Sequence, residues 1–79
     1  MAYDYYAMAR RLANTVREEG YSEWAERILN ALEAGVTSTE ILMMLRATIN
    51  AFLDSRIGSE SAIHYAQDLR ERIDTALGS

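Results

Sequence analysis

His64 is the single histidine of the chain, and Glu60 and Asp68 stand at i−4 and i+4 from it, so on a helix all three project from one face. No other constellation here has the donor types of a metal site. Bundle metal centres draw Glu-x-x-His pairs from several helices. Here the spacing is Glu-x-x-x-His, it occurs once, and no cysteine adds a thiolate. A solvated helix face accounts for the three residues more simply, and neither a metal nor any other cofactor is expected. A nucleophilic triad would have to recruit the same His64 with a serine, and no serine sits in a strained Gly-x-Ser-x-Gly turn. A phosphate-cradling glycine loop is also missing. General acid-base work needs a positioned, pKa-tuned group, and lysine and cysteine are both absent. The chain is not expected to be an enzyme.

The chemistry that remains is recognition. Residues 18 to 40 carry Glu18, Glu19, Glu23, Glu26, Glu33 and Glu40 against Arg27 alone, in a chain of net charge −4. A surface of that sign attracts cationic partners and repels phosphates. Tyrosine, tryptophan and arginine are the residue types that anchor protein interfaces, and Tyr3, Tyr6, Tyr21, Trp24 and Tyr65 are many for this length. Trp24 falls on an apolar stripe and is assigned to the core. Tyr3 and Tyr6 lie off the stripe of the first helical segment and are expected as exposed anchors beside the acidic segment. The candidate partner-binding set is therefore Tyr3, Tyr6, Glu18, Glu19, Glu23 and Glu26. The competing explanation is an acidic solvated face, with the two tyrosines packing the N-terminus.

Four elements must position these groups. Proline is absent, and Gly20, Gly35, Gly58 and Gly78 divide the chain into segments of helical periodicity over roughly 4–19, 22–34, 38–56 and 60–77. Glycine reaches the left-handed backbone that follows many last helical turns, so the glycines read as stops. The first segment buries Tyr5, Met8, Ala9, Leu12, Ala13 and Val16 at i, i+3, i+4, i+7 spacing. The second is expected to start from Ser22 as N-cap, to bury Trp24, Ile28, Leu29 and Leu32, and to pair Glu23 with Arg27 at i,i+4. The third is the most apolar, with Ile41, Leu42, Met43, Met44 and Leu45 in an unbroken run before Ile49, Phe52 and Leu53. An element apolar around much of its circumference is either central or covered by a second copy, which marks Leu42 and Met43 as candidate self-association residues. The fourth starts after Ser59, turns Ile63, Ala66, Leu69, Ile73, Ala76 and Leu77 inward and pairs Asp68 with Arg72. The expected fold is all-α: a compact four-helix bundle, antiparallel or partly orthogonal, third helix central, with a homodimer as an open alternative to the monomer.

The junction from Glu33 to Arg46 admits three explanations. Structurally, Thr37 and Glu40 form a capping box, and Val36 and Ile41 occupy the positions of a hydrophobic staple. Alternatively, Ala31, Ala34, Gly35, Val36, Ile41 and Leu45 fall near the spacing of a helix-turn-helix, but Leu42 and Met43 then stand where polar and basic contacts to bases belong. An acidic middle region without lysine is also a poor electrostatic footprint for DNA. Thirdly, size, acidity and Ser38 at a helix start make the chain superficially similar to acyl carrier proteins. Their Asp-Ser-Leu motif is replaced here by Thr37-Ser38-Thr39. The stretch ALEAGVTSTEILMMLR, Ala31 to Arg46, resembles a stretch shared by short uncharacterised bacterial all-helical proteins. That resemblance implies a bacterial origin and brings no activity or site residue.

The composition bounds what remains. Seventy-nine residues, 49% apolar, make one domain over 1–79, near the size at which a single core supplies only about 3–5 kcal/mol. Without cysteine the fold rests on packing alone. No apolar run approaches the roughly 20 residues of a membrane span, and Met1 to Arg11 lacks the basic, apolar, small order of a signal peptide. A soluble, unprocessed cytoplasmic protein is expected. Its expected function is that of a small acidic protein-interaction module, an immunity- or antitoxin-like binder of a basic protein. The alternatives are a helix-turn-helix regulator built on the second and third helices and a self-associating scaffold.

Overall fold

Three of the four helix starts are made by a side chain that accepts an otherwise orphaned amide. A computed structural model of the chain describes residues 3–78, so Met1, Ala2 and Ser79 of the expected domain lie outside the described residues. Asp4 caps α1 (Tyr5–Glu18), its Oδ1 accepting from the Ala7 amide at 3.0 Å. Thr37 caps α3 (Ser38–Ser55), its hydroxyl oxygen accepting from the Glu40 amide at 3.2 Å. Ser59 caps α4 (Glu60–Ala76) by accepting from the Ala62 amide at 3.1 Å. The remaining helix, α2 (Ser22–Ala34), corrects an expectation. Its N-cap is Tyr21 and no side chain closes it; Ser22 is already helical. The reason is the brevity of the turn: Tyr21 donates its amide to Val16 at 2.9 Å while its carbonyl accepts from Ala25 at 3.1 Å, so one residue both closes α1 and opens α2.

The junction of α2 and α3 departs from expectation in three ways. Gly35 is extended, at φ −89° and ψ 154°, and is not a left-handed stop. Glycine is required there by proximity, because a Cβ would lie 2.8 Å from both the amide nitrogen and Cγ1 of Ile41. Ile41 therefore packs against bare main chain, and Val36 is turned out to 90% exposure, so the hydrophobic staple does not form. The capping box is also rearranged: the Thr37 hydroxyl donates to the Glu40 carboxylate at 3.0 Å, where a bond from the Thr37 amide was expected. At the far end of α3 the left-handed position is Arg56, at φ 57°. Gly58 follows at φ 95°, and its α-carbon lies so close to Phe52 that a Cβ would sit 3.0 Å from Cζ.

The core is a set of fully buried apolar side chains in which alanines alternate with large residues. Ala9, Leu12, Ala13 and Val16 come from α1, Ala25, Ile28 and Ala31 from α2, Leu45, Ile49 and Phe52 from α3, and Ala62, Ala66, Leu69 and Ile73 from α4. Ala62 takes the buried place expected for Ile63, which is half-buried, and Ala76 is exposed. The helices form a closed ring in which α1 packs on α2, α2 on α3, α3 on α4 and α4 on α1. Cross-helix pairs fix the directions as antiparallel. Trp24 at the start of α2 meets Phe52 at the end of α3 edge-on at 5.7 Å. Arg46 and Asn50 of α3 meet Asp74 and Arg70 of α4 in reverse order, each at 3.2 Å. In this ring α3 has two neighbours like every other helix and is no more enclosed than they are, although it supplies Phe52, the largest fully buried side chain. Its outer side consequently leaves Met43 and Met44 exposed at 51% and 42%. The Cα radius of gyration, 11.5 Å, is that of one packed body of this length. Among the described residues no helix is long and apolar enough to cross a membrane.

Candidate functional site

Because the helices alternate in direction, the end of α1, the start of α2, the end of α3 and the start of α4 share one pole of the bundle. Glu18 closes α1 there, and Glu23 and Glu26, three residues apart, lie on the outward side of α2, opposite buried Ala25 and Ile28. All three are exposed, and among the described residues none of them is ion-paired. Glu33, two turns beyond Glu26, continues the same acidic face. The expected Glu23–Arg27 pair is not formed. Arg27 lies over the Trp24 ring at 4.2 Å, where the flat guanidinium gains cation–π contact and covers the half-buried indole. Among the described residues Glu18, Glu23 and Glu26 are thus left without an ion-pair partner.

Glu19 belongs to the same pole but has a different task. Its carboxylate accepts from the Ser59 amide at 2.9 Å and from the Ser59 hydroxyl at 2.6 Å. The two bonds to Ser59 lower its pKa below the usual glutamate range. Glu19 thereby holds the cap of α4, tying the end of α1 to the start of the last helix.

The two tyrosines expected beside these glutamates are elsewhere. Tyr6 stands at the start of α1, and at 1.5 Å per residue roughly 18 Å of helix axis separate it from Glu18. Tyr3 precedes α1 at that same distant pole. It is half-buried, not an open anchor: Tyr5 meets its ring edge-on at 4.8 Å, and Arg72 of α4 lies over it at 4.5 Å. The Tyr3 hydroxyl is buried without a hydrogen-bond partner among the described residues. Burial, with a contribution from nearby Asp68, raises its pKa. Tyr6 is also half-buried, its hydroxyl 3.4 Å from the Ser38 hydroxyl at the start of α3. Between these two helix starts opens a cleft of about 470 Å³, lined by Tyr3, Asp4, Tyr5, Tyr6, Ser38 and Leu42. Leu42, expected on a self-association surface, is thus half-buried in a cleft wall, whereas Met43 is open to solvent. A smaller groove of about 210 Å³ runs between α2 and α3 beside Met44.

The His64 face has no convergent geometry. Asp68 pairs with Arg72 at 3.2 Å, and among the described residues no group of three His, Asp or Glu side chains is gathered as metal ligands would be. The α2–α3 pair, for its part, lies side by side from Trp24 and Phe52 to Ala34 and Met44. A helix-turn-helix instead crosses its two helices at about 90–120°. Arg46, the basic residue nearest the turn on α3, is directed to Asp74.

Two features were not legible in advance: the separation of tyrosines from glutamates, and the cleft itself. The first follows from the length of α1, which carries Tyr6 and Glu18 at opposite ends, and the second from the antiparallel ring, which joins Tyr6 to Ser38 across a long stretch of chain. Compared with known proteins, the chain matches no family model, no curated protein and no solved structure, so nothing in those comparisons bears on the likeness of Ala31–Arg46 to other bacterial helical proteins.

Proposed function

We propose that the chain is a non-enzymatic protein-recognition module that binds a basic protein partner, in the manner of small acidic immunity or antitoxin proteins of the bacterial cytoplasm. The observation that carries this reading is the exposed, unpaired acidic face that α2 and the adjoining end of α1 present among the described residues. Glu18, Glu23 and Glu26 are exposed and make no ion pair among the described residues, and Arg27 is stacked on Trp24. Such a field steers a cationic partner and accelerates its association by about 10–1000-fold. Glu19 is removed from the contact set, because its carboxylate is engaged with Ser59. The side-by-side packing of α2 and α3 supports a protein over a nucleic-acid partner, as does the acidity of the face. The test is to identify the partner by capture from the native host and then to measure association rates. Replacing Glu23→Gln and Glu26→Gln together should slow association about tenfold at low salt and flatten its salt dependence. Unchanged rates would remove this surface from consideration.

A second reading rests on a different observation. Among the described residues Val36, Met43 and Met44 are the large apolar side chains left exposed, and a second copy seated on the outer side of α3 would cover the two methionines. That reading makes the chain a self-associating scaffold.

A further inference from the structure

We propose that the cleft between the starts of α1 and α3 is a binding site for an arginine side chain presented by a basic peptide segment. The proposal rests on the reading of a basic partner given above, and adds a second contact site at the pole opposite the acidic face. The cleft, about 470 Å³, falls within the 300–1000 Å³ span of small-ligand sites. Its walls are three tyrosines and Leu42, with Asp4 and Ser38 as the polar groups. Aromatic ring faces attract flat cations, and among the described residues Asp4 is the single formally charged group in the lining. Among the described residues one carboxylate oxygen of Asp4 is engaged, with the Ala7 amide, and the other is available to a guanidinium. Arg10, one turn beyond Tyr6, does not line the cleft.

Two observations favour arginine over other occupants. First, the chain itself places guanidinium groups on its aromatic rings twice, Arg72 on Tyr3 at 4.5 Å and Arg27 on Trp24 at 4.2 Å. The Arg72 case is on Tyr3, a cleft-lining ring, so the rings left for an incoming guanidinium are those of Tyr5 and Tyr6. Second, the two helix starts that border the cleft would on their own favour an anion, but a side-chain oxygen already takes one amide at each. Asp4 takes one at α1, and Thr37 with Glu40 closes α3. The Asp4 carboxylate on the α1 start, and the Glu40 carboxylate held by the Thr37 hydroxyl in the first turn of α3, oppose the positive ends of the two helix dipoles.

The experiment uses the whole chain, isotopically labelled, titrated with a short blocked glycine peptide carrying one central arginine and, separately, with the same peptide carrying neutral citrulline. The arginine peptide should shift the amides of Tyr6, Ser38 and Leu42 saturably, with Kd on the order of 1 mM. The citrulline peptide should bind about tenfold more weakly, as should the arginine peptide to D4N. Asparagine is an N-cap as good as aspartate, so D4N removes the charge and keeps the helix start. Y6F, which keeps the ring, should bind like the parent. Equal binding of the two peptides, shifts that do not saturate, or an indifferent D4N would overturn the proposal. The outcomes also separate the two readings. A partner that depends on Glu23 and Glu26, with no peptide binding at the cleft, would sink the cleft alone. Peptide binding with a partner indifferent to those glutamates would sink the acidic face alone.

Discussion

A carboxylate that receives both the amide and the hydroxyl of one serine is held in its ionised form, and Glu19 is so held by Ser59. Its folded pKa lies below its ordinary value of 4.5, so the native state binds the proton less readily than the unfolded chain does. The contribution to stability is therefore complete above that ordinary value and fades as the pH falls through the lowered folded one. Urea midpoints measured downward from neutral pH should fall in this acid window for the parent chain and fall less steeply for Glu19→Gln, which should also be the less stable protein at neutral pH. Coincident profiles for the two would deny Glu19 this role. The arginines follow a related principle at the same scale. Arg27 and Arg72 lie over aromatic rings, Arg46 reaches Asp74 and Arg70 reaches Asn50, so four cations are engaged within the molecule while Glu18, Glu23 and Glu26 make no ion pair among the described residues.

At the scale of the elements, the tightest constraint is where α2 gives way to α3. Gly35→Ala would put a methyl group 2.8 Å from the Ile41 main chain and side chain, and the backbone nitrogen cannot swing aside as a side-chain terminus would. The substitution should destabilise by about 1–3 kcal/mol, the usual cost of an overfilled site, read as a lowered urea midpoint; an unchanged midpoint would show that the junction yields freely. Much of this level was legible in the residues. Strong 3.6-residue periodicity marked α1, and the side chains of Thr37 and Ser59 marked two starts, because stripe and cap are local properties. The core contribution of Ala25, Ala31 and Ala62 was not legible. Alanine is a good helix former anywhere, and only the close approach of a neighbouring helix makes its small size matter. The failed Val36 staple and Glu23–Arg27 pair have the same origin. Each was a sound local expectation that a tertiary alternative displaced, Gly35 against Ile41 in one case and the Trp24 ring in the other.

For the whole molecule, the antiparallel arrangement makes the two poles chemically distinct. One carries Glu18, Glu23 and Glu26, and the other gathers the tyrosine-lined cleft with exposed Val36 and Met43 nearby on the α2–α3 junction and α3. If recognition of a basic partner is the function, light scattering of the pure protein should return the mass of one chain. A dimer that M43E and M44E dissolve would instead favour the self-associating scaffold. The ring itself has a kinetic corollary. Three of its four helix contacts join sequence neighbours across short turns, and only the docking of α4 on α1 spans the chain. The average sequence separation of contacting residues is accordingly small, and chains of that kind fold in microseconds to milliseconds because little loop entropy must be surrendered before contacts form. The one docking that spans the chain is that of α4 on α1, and the Glu19 carboxylate bonded to Ser59 is a latch across it.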